Sequence, residues 1–317
     1  MKNILIFIFI LISVILWKEY SAEYIDENFN KPKKTIILVI ARDVKGISGY
    51  WGLGDIIRGM ISTYQIAKKL NYEFIIDIQL HPISKYLIDN NHKYSQLILD
   101  NKDNIKYVYD VDVNDYIINH ESDVIYFNSN NNHIEKMTDD CKEYIKHILT
   151  PNDKMVKYIN KMNKLIPYES YNILHYRLGD DEIVENKVVS YDEFINNFKL
   201  YNEPNDILMS DSVNFKKLIK PISDIYMFDL DIGHVGIEDD DMKIMNTLYE
   251  YYVITKAQKI KSYSTYDWPS GFMTMTGLLY DIPFINLKFF FWLTKTTNII
   301  LITILIIKVC HDIITTL

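Results

Sequence analysis

The stretch Tyr171–Asp180, with the sequence YNILHYRLGD, indicates how the second half of this chain folds. Its first residues have the composition of a buried β-strand, and the strand pattern stops at Gly179. Side chains alternate along a strand, so His175 and Arg177 face the same side. Open α/β sheets bind ligands at the carboxyl ends of their strands, where these two side chains fall. A planar guanidinium with paired donors suits a phosphate group, so the stretch predicts an anion site.

The carboxylates after this strand leave alternatives open. Asp180, Asp181 and Glu182 are interpreted in three ways: as a general base, as salt-bridge partners of Arg177, or as a solvated acidic loop. A structural ion pair is likewise the alternative to a ligand contact for Arg177.

Composition limits the class of protein. The chain has 317 residues, of which 48% are hydrophobic and 24% charged, enough for a large core and two domains. Its formal net charge is -8 and it has no long basic stripe, which argues against a nucleic-acid partner. The two cysteines, Cys141 and Cys310, cannot form a disulfide framework or a paired-cysteine metal site.

Strands alternate with helices in two successive series, which is typical of parallel sheets covered by helices. We predict an α/β fold with two Rossmann-like domains facing a cleft, the first over residues 35–165 and the second over residues 166–288. The predicted strands are 35–41, 72–78, 105–111, 123–129, 173–176, 207–209, 225–228, 261–264 and 283–287, and the predicted helices are 55–70, 133–149, 153–165, 191–201, 213–219, 240–258 and 270–280.

Both ends of the chain are apolar. Residues 1–18 contain the stretch Ile4–Trp17, which suits a signal peptide or a short membrane anchor. The cleavage region Tyr20-Ser21-Ala22 is poor, so we expect an uncleaved single-pass anchor, a stalk over residues 19–34 and a lumenal body in a Golgi-like compartment. The tail over residues 289–317 either rests on the membrane or packs on the globular body.

A glycine-rich stretch, Gly52–Gly59, follows the first strand and opens a helix. This is the setting for ligand contact at a helix N-terminus. The glycine spacing matches neither the dinucleotide fingerprint nor a Walker loop. Gly52, Gly54 and Arg58 are therefore candidates for a loop on the acceptor side of the cleft. The alternative is a tight turn with Asp55 as the helix N-cap and an Asp55–Arg58 pair across one turn.

Two further strand ends carry polar groups. Ser210 and Asp211 follow a strand directly, and an aspartate there can accept hydrogen bonds from a base or ribose. Ser270 and Phe272 lie at a later strand-to-helix junction, where hydroxyls and backbone N–H groups suit a phosphate. Ordinary helix capping is the alternative in both places.

A metal site is the less favoured interpretation of the acidic clusters. Asp239-Asp240-Asp241 precedes a helix, where acidic residues are normal. Asp229-Leu230-Asp231 follows a strand and keeps a metal-dependent alternative open. The histidines show no ligand spacing, so we expect no metal.

Taken in chain order, these motifs resemble those of the fucosyltransferase superfamily, which includes protein O-fucosyltransferases and α-1,2- and α-1,6-fucosyltransferases. His175-Tyr176-Arg177-Leu178-Gly179 is similar to the family's His-x-Arg-x-Gly motif. The glycine-rich loop, Ser210-Asp211 and Ser270-Gly271-Phe272 are similar to its other motifs. The resemblance covers about residues 35–287 and implies a GT-B glycosyltransferase fold.

The resemblance also implies roles for single residues. Arg177 would hold the β-phosphate of GDP-fucose and Asp211 would meet the guanine edge. Leu178 stands where some members have a second arginine, which leaves more of the phosphate charge to one cation. The residues implied in donor binding are His175, Arg177, Gly179, Ser210, Asp211, Ser270 and Phe272.

The implied reaction is a metal-independent, inverting transfer of fucose to a glycan or protein hydroxyl. It needs stabilisation of the diphosphate and a base near the acceptor, and no cofactor besides the donor substrate. Asp55 is the first candidate for the base and Asp180 the second. The alternatives are a metal-dependent transferase that uses another nucleotide sugar, and an inactive membrane-tethered glycan- or protein-binding module.

Overall fold

The structure is a computed structural model that describes residues 34–45, 47, 51–109, 112–130, 134–179 and 190–288. The predicted anchor, almost all of the stalk, the tail and Asp180 lie outside these residues. No helix in the described part of the chain is long and apolar enough to cross a membrane.

The first half of the chain forms a parallel sheet of four strands. The strands are β1 (Thr35–Ala41), β2 (Glu73–Leu80), β3 (Lys106–Tyr107) and β4 (Val124–Asn128), and the helices are α1 (Leu53–Lys69), α2 (Ser95–Asp100), α3 (Val113–Asn119), α4 (Asp139–Ile148) and α5 (Asp153–Asn163), with 3₁₀ turns at Pro82–Tyr86 and Lys102–Asn104. The strand order is β2-β1-β4-β3. All seven residues of β1 are buried, as expected for a central strand covered on both faces.

The second half forms a parallel sheet of five strands. The strands are β5 (Asn172–Arg177), β6 (Asp206–Ser210), β7 (Tyr226–Met227), β8 (Ile260–Ser264) and β9 (Phe284–Asn286), and the helices are α6 (Asp192–Tyr201), α7 (Val213–Ile219), α8 (Asp241–Ile254) and α9 (Gly271–Leu279). The order β7-β6-β5-β8-β9 is the Rossmann order for five strands. The chain leaves β5 toward one side and later returns to β8 on the other, so a crevice opens beyond these two strand ends.

The two halves share one hydrophobic core. A single cluster of buried residues runs from Ile36 in β1 to Ile260 in β8. Helix α8 belongs to the second half but bonds to the first, because Tyr86 Oη donates to the carbonyl of Asp241 at 2.8 Å. Arg42, just after β1, donates to the carbonyl of Val235 and pairs with Asp239 at 2.7 Å. These contacts hold the two sheets in a fixed relation.

The sequence predicted β1 and α7 with the observed bounds, and two other predictions need correction. The strand predicted over residues 105–111 is reduced to Lys106–Tyr107; Ile105 and Val108 are buried without extending it. The helix predicted from residue 133 begins only at Asp139, because Gln65 bonds both the N–H and the carbonyl of Glu135 and holds that segment non-helical. Helices α2 and α3 were not predicted.

Candidate active site

A cavity of about 690 Å³ lies between the two sheets and is lined from both halves of the chain. It is large enough for a nucleotide-sized ligand. Gly179 is not among its lining residues, and Asp180 lies outside the described residues. The predicted site residues that line it are Gly52, Gly54, Asp55, Arg58, His175, Arg177, Ser210, Asp211, Ser270 and Phe272.

Arg177 lies at the carboxyl end of β5 and lines the cavity. Its guanidinium carbon is 4.7 Å from the centre of the Tyr266 ring. Tyr266 stacks in turn on Trp268, with ring centres 5.0 Å apart and an angle of 13° between the planes. Stacking on an aromatic face fixes the plane of a guanidinium. Arg177 is thus oriented at the cavity wall and is not sequestered in the core.

His175 is buried one strand repeat before Arg177. Its Nδ1 forms a hydrogen bond of 2.9 Å with Ser262 Oγ on the neighbouring strand β8. Burial lowers the pKa of His175 to about 3, with a further contribution from the positive charge of Arg177. The imidazole is therefore neutral at neutral pH and brings no charge to the cavity.

Asp211 shapes the loop that follows β5. Its carboxylate accepts hydrogen bonds from the backbone N–H of Leu178 at 2.8 Å and of Gly179 at 3.2 Å. Gly179 has a φ of 94°, a conformation that glycine adopts without strain. Gly179 therefore has a conformational role, which is to allow the backbone to turn after β5. Asp211 also lines the cavity, and its implied contact with guanine remains a prediction.

The N-termini of α1 and α9 meet at the cavity. A Cβ atom on Gly54 would lie 2.3 Å from the carbonyl carbon of Gly271, so only glycine permits this approach. The N-cap residues are Gly52 and Ser270, and neither makes a side-chain cap hydrogen bond. The first N–H groups of both helices therefore add positive potential to one place in the cavity.

The prediction that Asp55 caps α1 is wrong, since the cap is Gly52 and Asp55 lies in the first turn. The predicted pair with Arg58 is confirmed, with Nη1 3.0 Å from Oδ1. Arg58 also reaches the start of α9, because a Cβ on Gly271 would lie 2.9 Å from its Nη2. The cavity thus has a guanidinium on each wall, Arg58 from the first half and Arg177 from the second.

The sequence analysis missed Glu250, which lines the cavity from α8. Burial raises its pKa to about 7; the positive charge of Lys216 opposes this shift and the negative charge of Asp211 adds to it. Glu250 stands among buried apolar and aromatic neighbours on its helix. The sequence signal that could have identified Glu250 as a candidate site residue is a single carboxylate within an otherwise apolar stretch of helix. Other lining residues that were not predicted are Asn130, His234, Thr247, Trp268 and Thr274.

The acidic clusters show no metal-ligand arrangement where they are described. Within the described ranges, no three or more His, Cys, Asp or Glu side chains are grouped so as to hold a metal ion. Asp231 lies 3.7 Å from Lys243, and Asp240 accepts hydrogen bonds from the N–H groups of Met242 and Lys243 as the N-cap of α8. Asp240 thus caps α8 and Asp241 lies in its first turn, which agrees with the expectation that these carboxylates belong to a helix start.

Two Rossmann-like sheets with a ligand-sized cavity between their carboxyl edges define a GT-B-like fold. Among solved structures, the fold is similar to a variant of Arabidopsis thaliana FUT1 in complex with GDP, with a TM-score of 0.52 and 8% identity over 84% of this chain and 74% of that chain. This likeness confirms a fucosyltransferase-like fold.

Two weaker similarities were also found. NodZ α-1,6-fucosyltransferase with GDP gives a TM-score of 0.47 and 10% identity over 78% of this chain and 93% of that chain. POFUT1 with GDP gives a TM-score of 0.43 and 10% identity over 81% of this chain and 99% of that chain. No protein-family description and no curated protein sequence matches the chain.

Proposed function

We propose that this chain is a glycosyltransferase that transfers fucose from GDP-fucose to a hydroxyl of a glycan or protein. The observation that carries the proposal is the convergence of Arg177, Arg58 and two helix N-termini on one cavity. Fixed cations and helix N-termini are the groups that bind a diphosphate. The A. thaliana FUT1 structure with a similar fold was solved in complex with GDP, which supports the choice of nucleotide.

The proposed mechanism is inverting and independent of metal. Breaking the bond between sugar and phosphate places negative charge on the leaving diphosphate. Preorganised N–H groups and guanidinium groups stabilise that charge as it develops. Arg58 supplies the second cation that Leu178 does not, but it does so from the opposite wall of the cavity. The two walls must therefore stay together for both cations to act.

A base is needed to take the proton from the acceptor hydroxyl. Asp55 is our first choice, because it lines the cavity from the first half of the chain and Arg58 fixes its position. Asp180 is the second choice and follows β5. We further propose that residues 1–18 anchor the enzyme in a membrane of the secretory pathway with the body in the lumen.

Thermal unfolding in the presence of GDP tests the proposal. GDP at 100 times its dissociation constant should stabilise the protein by about 2.7 kcal/mol, and EDTA should leave the shift unchanged. Arg177→Ala should remove the shift, and Arg177→Lys should restore only part of it because an ammonium lacks the paired donors.

Lys69→Ala is the matched control for loss of one positive charge. Lys69 lies at the far end of α1 and pairs with Glu135 at 2.5 Å, so the GDP shift should persist in this variant. The absence of any GDP shift in the wild type would refute the proposal. A shift that EDTA abolishes would instead favour the metal-dependent transferase, and donor binding without turnover would favour an inactive binding module.

A further inference from the structure

A row of aromatic rings lies at the carboxyl edge of the first sheet. Trp51 stacks on Tyr107 with ring centres 5.4 Å apart and an angle of 18° between the planes. Tyr107 contacts Tyr109 edge to face at 5.1 Å, and Tyr109 is 66% exposed. We call Trp51, Tyr107 and Tyr109 the aromatic row. Trp51 and Tyr107 are partly buried, so the exposed ring of Tyr109 is the part of the row most open to an apolar surface of a ligand.

A notch of about 10 Å³ lies beside the aromatic row and has room for a single hydroxyl or water. It is lined by Trp51 together with the buried residues Asn128 and Ser129. Trp51 Nε1, Asn128 Oδ1 and Ser129 Oγ are buried and have no hydrogen-bond partner among the residues that the structure describes. Buried polar groups are costly unless a partner satisfies them, so these three point to a ligand group.

The polar groups around the notch are neutral. His81 also lines it, and burial, with a further contribution from Arg42, lowers the pKa of His81 to about 3. Its Nδ1 accepts a hydrogen bond from the N–H of Ile83 at 3.3 Å, which assigns the proton to Nε2. The notch therefore combines donors, at His81 and Trp51, with an acceptor at Asn128. A hydroxyl both donates and accepts, and so matches this set, whereas an ion does not.

The notch lies where the first sheet should bind a ligand. Asn128 is the last residue of β4, and Ala41, which also lines the notch, is the last residue of the neighbouring strand β1, so the notch lies at the carboxyl edge of the first sheet. Asn130 lines both the notch and the large cavity. Its Oδ1 accepts a hydrogen bond of 2.6 Å from Tyr107 Oη, which joins the aromatic row to the cavity wall.

We infer that the aromatic row and the notch bind a neutral saccharide, so that the acceptor is a glycan and not a peptide side chain. A pyranose ring has an apolar C–H face that stacks on an aromatic ring and a hydroxyl edge that enters a neutral notch. This inference rests on the proposed function, because it identifies the acceptor of that reaction.

The test measures binding to an array of neutral oligosaccharides and to a library of serine- and threonine-containing peptides, with GDP present. The expected result is binding to at least one oligosaccharide, weakened tenfold or more by Trp51→Ala. Trp51→Phe should keep part of the affinity, since it retains the ring and loses the N–H. Tyr109→Ala provides a second variant at an exposed position, and Leu200→Ala, at an exposed position of α6, is the control without effect.

The outcomes separate this inference from the proposed function, because the GDP thermal shift is measured on the same proteins. A GDP shift with no oligosaccharide binding, or with peptide binding instead, would overturn the glycan acceptor and leave the transferase intact. Oligosaccharide binding that neither Trp51→Ala nor Tyr109→Ala weakens would also overturn it. Oligosaccharide binding that depends on Trp51 without any GDP shift would keep the saccharide site and refute the transferase.

Discussion

The carboxyl edges of the two sheets differ in charge although both face the space between the domains. The edge of the second sheet has the guanidinium of Arg177 and the carboxylate of Asp211 beside the N-terminus of α9. At the edge of the first sheet Arg58 is paired with Asp55, and the notch beside β1 and β4 has neutral groups, including a histidine that is uncharged at neutral pH. Two parallel sheets thus have one edge suited to an anion and one with a notch suited to a hydroxyl. The difference lies in side chains after the strands, since both places are carboxyl edges of parallel sheets.

The largest effect should follow from placing a charge in the neutral notch. Asn128→Asp buries a carboxylate and also loses the hydrogen bond that Asn128 Nδ2 donates to the carbonyl of Val39 at 2.7 Å. We expect a loss of about 3–5 kcal/mol in the free energy of unfolding at pH 7. Burial raises the pKa of such a carboxyl, so the loss should shrink as the pH falls and the group is protonated.

Urea denaturation at pH 4 and pH 7 checks this prediction. Asn130→Asp is the matched control, since Asn130 is more exposed and an aspartate keeps an acceptor for Tyr107 Oη. Equal destabilisation by the two substitutions would show that the notch is not a neutral, enclosed site.

The charged edge has a titrating group of its own, Glu250, and neutralising it should have the next largest effect. The folded-state pKa of about 7 lies above the ordinary value of 4.5, so the folded protein binds the proton more tightly than the unfolded chain. The protonated Glu250 side chain therefore makes its full contribution to the free energy of unfolding below pH 4.5, and this contribution is lost as the pH rises through 7. Glu250→Gln should therefore stabilise the protein at pH 8 by on the order of 3 kcal/mol and have little effect at pH 4.

The unfolding free energy of wild type and Glu250→Gln, measured from pH 4 to pH 8, tests that slope. GDP should also bind the variant more tightly than wild type at pH 8, because one negative charge fewer faces the diphosphate. Parallel stability curves for the two proteins would mean that Glu250 does not titrate in this range.

A smaller effect on stability is expected where the two walls touch. Gly54→Ala places a Cβ against the backbone of Gly271, so α1 and α9 must move apart at a cost of about 1–3 kcal/mol. GDP affinity should fall as well, since Arg58 and Arg177 then no longer reach one ligand. Gly52→Ala is the control, because its Cβ meets only the imidazole of His234 at 3.1 Å. Calorimetric melting measures the stability of both variants, and titration with GDP measures their affinity. GDP affinity in Gly54→Ala equal to that of the wild type would contradict an anion site shared by the two walls.

The sequence predicted most of the elements because their signals are local. Buried strands such as TIILVIA at β1 read as continuous apolar runs, and α7 begins after Ser212, whose Oγ accepts from the N–H of Phe215 at 3.0 Å. The prediction missed α2 and α3, which are only 6 and 7 residues long and have no side-chain cap hydrogen bond at their start. Helix α7 is as short, but the capping serine before it marks where it begins.

The candidate site was predicted in part. The residues at strand ends could be selected from the sequence, because the carboxyl edge of a parallel sheet is a known binding place. Glu250 and the aromatic row were missed. A lone carboxylate in an apolar helix pointed to Glu250, but no rule of topology places a residue inside a helix or a loop at a cavity. Whether Glu250 and the aromatic row belong to a binding site depends on which residues from other parts of the chain pack beside them.

The sequence by itself determined that two parallel α/β sheets form and that Arg177 ends a central strand. It did so because burial and side-chain direction depend on residues close together in the chain. Only the tertiary structure decided that Gly54 meets Gly271 and that Arg58 faces the same cavity as Arg177. It also decided that one notch holds three buried polar groups that have no hydrogen-bond partner in the described part of the chain. These arrangements depend on contacts between residues far apart in the chain. Close packing of the whole molecule determines such contacts, and local sequence patterns do not predict them.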